Sequence, residues 1–341
     1  MKRIQLEQVF LQLSQFGSLR DLQRVLRKHR SISGRSFEEI LENILDHDDH
    51  DAWEAVLSYA HDVFLFGSKS FQLLSIARDV RQLARQYADG KSSLEPLDLA
   101  EIVSGSPDGQ QKLAGVLHDQ AGMTLVFRSR KTFTKNTPIE EEWVLPEHRK
   151  RIAEAEKAYL VETKRVSVIE ALEIPYGARH GSARLVTQLE GYSADEPADL
   201  AANRLIHQSA GVLGVDTGDF SRVDLFPAIR NIYDDATEGR VVEMHFDCST
   251  GAGRTEKMRR SPTDLRQEAY HTAGIAATTI NPYRISVRWE SSGFGHADVT
   301  LPGVRKMLHQ TQRPRLTVAH VSPALGKQAY SLVMQRVAGK L

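Results

Sequence analysis

Gly239-Arg240-Val241-Val242-Glu243-Met244-His245-Phe246-Asp247-Cys248, followed by Ser249-Thr250-Gly251-Ala252-Gly253 and Arg254-Thr255-Glu256-Lys257, is the stretch on which the fold turns. Side chains along a strand alternate between two faces. Val242, Met244 and Phe246 are therefore expected on one side, and Val241, Glu243, His245 and Asp247 on the other. A glycine-bearing loop after such a run predicts an antiparallel hairpin, with its second strand over 255–259. Just upstream, 224–234 reads as a helix and Glu238-Gly239 as a turn. Downstream, 283–290, 297–301 and 316–321 read as strands and 329–337 as a closing helix. With a short helix over 198–208, these elements make residues 175–341 an α+β domain with an antiparallel sheet.

The front of the chain has a different period. Leu22, Val25 and Leu26, then Phe37, Ile40, Leu41, Ile44 and Leu45, recur at three- and four-residue steps. Ser36 and Glu39 have the spacing of a capping box. Val56, Leu57, Ala60 and Phe64, and then Phe71, Leu74, Ile76 and Leu83, extend the apolar face, which predicts a bundle of about five helices over residues 1–90. After the polar run 88–93, residues 97–103 and 110–118 read as two short helices around a Pro- and Gly-bearing turn. Alternation over 124–130 and a return strand at 142–145 complete the order of a winged helix, so 94–146 is expected to be a winged-helix-like module. Ala, Glu, Lys and Arg dominate 147–172, and 147–174 is expected to be a connecting helix that stops before Pro175. The expected fold class is thus α+β multidomain.

Composition sets the outer limits. At 341 residues and 38.2 kDa the chain is long enough for two or three domains. A single cysteine, Cys248, excludes an internal disulfide and any Cys-x-x-Cys zinc or redox pair. No apolar run reaches the roughly 18 residues that span a bilayer, and Glu7 interrupts the start before a signal-type apolar segment develops, so a soluble cytoplasmic protein is expected. Net charge is zero, yet residues 251–341 hold 14 Lys or Arg against 5 Asp or Glu. Such a basic quarter either meets a polyanion or attracts the acidic front of the chain.

Gly251-Ala252-Gly253 lacks the third glycine of a dinucleotide fingerprint. Phosphate-loop, His-Glu-x-x-His and Gly-x-Ser-x-Gly patterns do not occur. The run from Asp46 to Asp51 carries metal-ligand residue types, but neighbouring residues on a helix point about 100° apart, which favours a helix cap near Ala52. Glu243, His245 and Asp247 share one strand face, where they are either its solvated side or, with His271, a ligand site. Cys248 reads as a buried thiol.

Cations form three groups: Arg20, Arg24 and Arg27 at helical spacing, Arg128, Arg130 and Lys131 on the expected wing, and Arg254, Lys257, Arg259 and Arg260 on the C-terminal hairpin. The function expected from them is a non-catalytic, nucleic-acid-binding regulatory or accessory protein, with DNA or RNA as partner, no cofactor, no metal and no membrane. Two alternatives stay open. One is a metal-dependent phosphodiester or phosphate-ester hydrolase using Glu243, His245 and Asp247; the other is an interaction scaffold that docks a protein through the N-terminal bundle.

Overall fold

A computed structural model describes residues 3–29, 32–47, 49–90, 111–153, 158–177, 182–188, 198–258, 262–291, 295–310, 313–322 and 326–341. The chain is mixed α and β, and among the described residues eleven strands join in one sheet. Four helices lead in: α1 (Arg3–Phe16), α2 (Leu19–Val25), α3 (Phe37–His47) and α4 (His50–Phe66). The acidic run before Ala52 is a cap, since Asp49 accepts the Ala52 N–H at 2.9 Å. Ser36 accepts the Glu39 N–H at 3.1 Å, while the Glu39 carboxylate accepts from Arg35, one residue earlier than a capping box requires. The Tyr59 hydroxyl ties α4 to the α1–α2 junction by accepting from the Ser18 N–H and donating to its carbonyl. Burial pushes that phenol up to about 12.

The expected fifth helix begins late. Phe71, Leu74 and Ile76 lie on β1 (Lys69–Ile76), and only then does α5 (Arg78–Asp89) follow. β1 is buried on both faces, so its apolar residues form a run without the period of two that announces a strand.

The middle of the chain departs furthest from expectation. Residues 97–103 lie outside the described residues, but 112–118, expected as the second helix, form β2 (Lys112–His118). A bulge between Leu113 and Gly115 shifts its phase, which leaves apolar residues at spacings that imitate a helix. β3 (Gly122–Pro138) contains the expected strand, yet at 142–145 there is a 3-10 turn, Glu141–Trp143, instead of a return strand. The connecting helix shortens to α6 (Pro146–Ala153), and β4 (Tyr159–Pro175) replaces the rest. Val161, Thr163, Val166, Val168 and Ile169 suit a strand, and pairing with β3 overrides the helix propensity of their neighbours. The helix–turn–helix–hairpin order of a winged helix is therefore not what these segments form.

β5 (Ser182–Gln188), α7 (Ala198–Leu213), β6 (Phe220–Arg222) and α8 (Phe226–Asp234) come next, then β7 (Arg240–Cys248), β8 (Gly253–Lys257), α9 (Ala269–Ala277), β9 (Ile280–Ser291), β10 (Gly295–Leu301), β11 (Ala319–Ser322) and α10 (Gly326–Ala338). The expected C-terminal helices and strands recur, with β8 two residues earlier than expected, β11 beginning only at Ala319 and α9 not foreseen. A bulge between Val241 and Glu243 advances the phase of β7, so Val241, not Val242, joins Met244 and Phe246 in the core.

Strand order is β2-β3-β4-β5-β1-β11-β10-β9-β7-β8, with β6 also on β1. Every described pairing is antiparallel. Among the described residues three apolar clusters clothe the sheet. α1–α4 enclose one that reaches Val126 and Ile169. α5 and α7 pack on Leu74, Leu125 and Leu172, which alternation puts on the other face. α8 and α10 pack on Phe71, Met244, Val287 and Val299.

Candidate nucleic-acid interface

β3 and β4 outrun their neighbours. β2 pairs with β3 no further than Arg128, and β5 pairs with β4 only from Ala171 to Glu173. From Ser129–Val168 out to Pro138–Tyr159 the two strands pair with each other alone among the described strands. At about 3.4 Å per residue this two-stranded ribbon is about 30 Å long. Its register sets Arg130 opposite Ser167, Lys131 opposite Val166, Thr132 opposite Arg165, Phe133 opposite Lys164 and Lys135 opposite Glu162. Residues 130–138 and 159–167 thus bring five cations against one carboxylate onto one slender element.

Of the expected wing residues, Arg130 and Lys131 are on the ribbon, and Arg128 sits half-buried at its root opposite Ile169. Lys164 and Arg165 were missed because their segment reads as a helix by composition. The density of β-branched residues from Val161 to Ile169 was the signal that could have placed them.

Arg20, Arg24 and Arg27 also come together. They line a cavity of about 370 Å³ between α2 and the turn at Ser33-Gly34, floored by Leu26, Ile32 and Ile40. Gln23 closes one end by donating to the Gly34 carbonyl at 2.7 Å. Arg24 pairs with Asp21 at 3.0 Å, and His29 stands 3.7 Å from Asp49.

The C-terminal hairpin does not gather its cations. Arg254 is paired with Phe246 and lines a cavity under α9, whereas Lys257 is paired with Glu243 on the opposite face of the sheet. Arg259 and Arg260 lie outside the described residues. Lys257 is moreover neutralised, its Nζ lying 2.5 Å from a Glu243 oxygen. Asp235, Glu238, Glu243 and Asp247 take ion pairs from Lys340, Arg336, Lys257 and Arg305, so part of the basic quarter answers the carboxylates that precede it.

Glu243, His245 and Asp247 share a face as alternation requires, but they divide their partners. Glu243 accepts from His245 at 2.8 Å and stands 3.5 Å from Arg284. Burial acts to raise its carboxyl, and the hydrogen bonds from Lys257 and His245 with the charges of Lys257 and Arg284 outweigh that, holding it below its ordinary value. Asp247 accepts from Arg305 at 2.8 Å and from His309 at 2.9 Å. Among the described residues no group of three or more His, Cys, Asp or Glu side chains is disposed to hold a metal ion.

His271 does not join that cluster. It is buried beneath the other face, where Nδ1 meets Glu256 at 2.5 Å and Nε2 meets the Tyr233 hydroxyl at 2.9 Å. An ionised carboxylate only accepts, so Nδ1 carries a proton toward Glu256; in the neutral imidazole Tyr233 is then the donor to Nε2. Cys248 is buried, as expected.

No protein-family model, curated protein or solved structure matches the chain.

Proposed function

We propose that the chain is a non-catalytic, DNA-binding regulatory or accessory protein whose β3–β4 ribbon lies along duplex DNA, acting in the cytoplasm. The observation that carries this reading is the concentration of Arg130, Lys131, Lys135, Lys164 and Arg165 on a ribbon that no other described strand pairs. The major groove of B-form DNA, about 12 Å wide, admits a two-stranded β-ribbon, while the narrow major groove of A-form RNA does not. Lys and Arg are the residue types that pair with backbone phosphates on either side of that groove. Such a role requires neither a winged helix nor a continuous surface through the C-terminal hairpin. A hydrolase at Glu243, His245 and Asp247 is less well supported, because both carboxylates are already engaged by cations.

Fluorescence anisotropy with short labelled duplex DNA, single-stranded DNA and duplex RNA tests it between about 50 and 200 mM salt. Duplex DNA is expected to bind best. Alanine at the five ribbon cations should flatten the logarithmic salt slope by about 0.9 for each phosphate that the variant leaves unneutralised. Absence of duplex binding at the lowest salt, or a slope unchanged in that variant, overturns the proposal.

A further inference from the structure

The cleft beside α2 holds positive charge that its surroundings leave unanswered. Arg20, Arg24 and Arg27 line it, all three are exposed, and no Asp or Glu is among the lining residues. Asp21 takes Arg24 at 3.0 Å, which leaves Arg20 and Arg27 with no ion-pair partner among the described residues. Neighbouring carboxylates are turned to other groups: Asp49 stands 3.7 Å from His29 and caps Ala52, and Glu39 accepts from the Arg35 N–H at 2.7 Å. Two other cavities balance their cations. One, of about 500 Å³ on the polar face of β7, β9 and β10, pairs Lys257 with Glu243 and Arg288 with Asp298; the other, under α9, sets Arg254 beside Glu256.

The rim of the α2 cleft is fixed by the chain's own hydrogen bonds. Helix α2 tightens into the 3-10 turn Leu26–Lys28, and the Ile32 N–H donates to the His29 carbonyl at 2.9 Å, which folds the chain back so that Ser33 and Gly34 face α2. Gln23 donates to the Gly34 carbonyl at 2.7 Å, and Asn43 of α3 donates to that of Ser33. A Cβ at Gly34 would stand 2.8 Å from the Ile40 backbone nitrogen, so glycine is what lets the turn close against α3. Leu26, Ile32 and Ile40 are no more than 4% exposed. The floor thus offers an apolar ligand little to touch, and recognition falls to the polar rim.

We infer that this cleft binds a small phosphomonoester, with its phosphate between Arg20 and Arg27 and its hydroxyl-bearing remainder beside Ser33 and His29. A phosphomonoester carries about −1.5 to −2 charges at pH 7, which answers the two unpaired guanidiniums. Guanidinium groups are the donors that hold phosphate oxygens in pairs. The cleft volume of about 370 Å³ lies at the small end of the roughly 300–1,000 Å³ typical of ligand pockets, which suits a sugar phosphate and leaves no room for a length of duplex. This inference stands apart from the DNA reading, since it concerns the helical front of the chain and not the β3–β4 ribbon.

Isothermal titration calorimetry on the full-length chain without nucleic acid, at about 50 mM salt to limit screening, tests it with three probes: ribose 5-phosphate, ribose and inorganic phosphate. Ribose 5-phosphate is expected to bind at one site, more tightly than inorganic phosphate, and ribose not to bind. Arg20→Gln with Arg27→Gln should weaken the ester about tenfold or more, because two charge-assisted contacts are lost. Both positions are exposed, and circular dichroism checks that the variant folds. Alanine at the five ribbon cations should leave ester affinity unchanged, so this inference and the DNA reading fail separately. No saturable binding of ribose 5-phosphate, equal affinity for inorganic phosphate, or a double variant that binds the ester as wild type does overturns the inference. So does loss of duplex affinity in the double variant when the ester does not bind, which makes nucleic acid the occupant of the cleft.

Discussion

His320 illustrates how one residue ties its chemistry to its strand. It lies on β11 opposite both Thr300 and Ser70, and its Nδ1 is 2.9 Å from the Ser70 hydroxyl. Register continues the row through Ser286 and Glu243 to Lys257, so a polar stripe crosses six strands from β8 to β1. Burial first, and the charge of Arg284 second, hold the imidazole below its ordinary value of 6.5. The folded protein then resists protonating a group that the unfolded chain protonates freely. Between the two values the unfolded state binds more protons, so stability should be full above 6.5 and fall as pH drops through that window. The slope contributed by this one group approaches about 1.4 kcal/mol per pH unit inside the window. Urea midpoints measured from pH 8 to pH 5 for wild type and His320→Gln should therefore converge on acidification, because the glutamine cannot take the proton. Parallel profiles for the two proteins would falsify this assignment.

At the level of elements, legibility tracked how each segment is buried. α1–α4, β9 and β10 were readable, because their apolar residues keep the period of helix or strand on the buried side. β1 was not, since Phe71 and Leu74 face different cores and both are 0% exposed. β2 and β7 were blurred by one-residue bulges, and β4 by a composition that favours helix until β3 pairs with it. The candidate site divided along the same line: Arg130 and Lys131 were on a readable strand, Lys164 and Arg165 on a hidden one. Close approach of backbones is another property that composition does not announce. A Cβ at Gly303 would stand 1.9 Å from the Tyr283 carbonyl oxygen, so the segment after β10 can cross β9 only as glycine. Gly303→Ala should cost more than about 3 kcal/mol in denaturant unfolding, at the level of a severe core clash. A loss below about 1 kcal/mol would show that the β9 crossing yields easily.

For the molecule as a whole, the question is whether three cores on one sheet unfold as one. The division at residues 90, 146 and 174 read from composition implies separable parts, whereas β1 pairs with β5, β6 and β11 and so belongs to both halves of the sheet. Its two faces feed different clusters: Phe71 packs edge-on to Tyr330 of α10 with centroids 6.3 Å apart, while Leu74 packs with α5 and α7. Emptying either side of such a strand loosens the pairing that serves the other. Phe71→Ala and Leu74→Ala should each cost about 2–5 kcal/mol, as large-to-small changes at closed positions do. The telling result is where that loss registers. If β1 couples the cores, far-ultraviolet circular dichroism and tryptophan fluorescence, read in a Trp143→Phe background so that Trp53 in α4 and Trp289 in β9 report, will give coincident urea transitions in wild type and in both variants. Two resolved transitions, with Phe71→Ala moving only the one that Trp289 reports, would instead mean that the halves fold independently and that the shared strand is a seam between them.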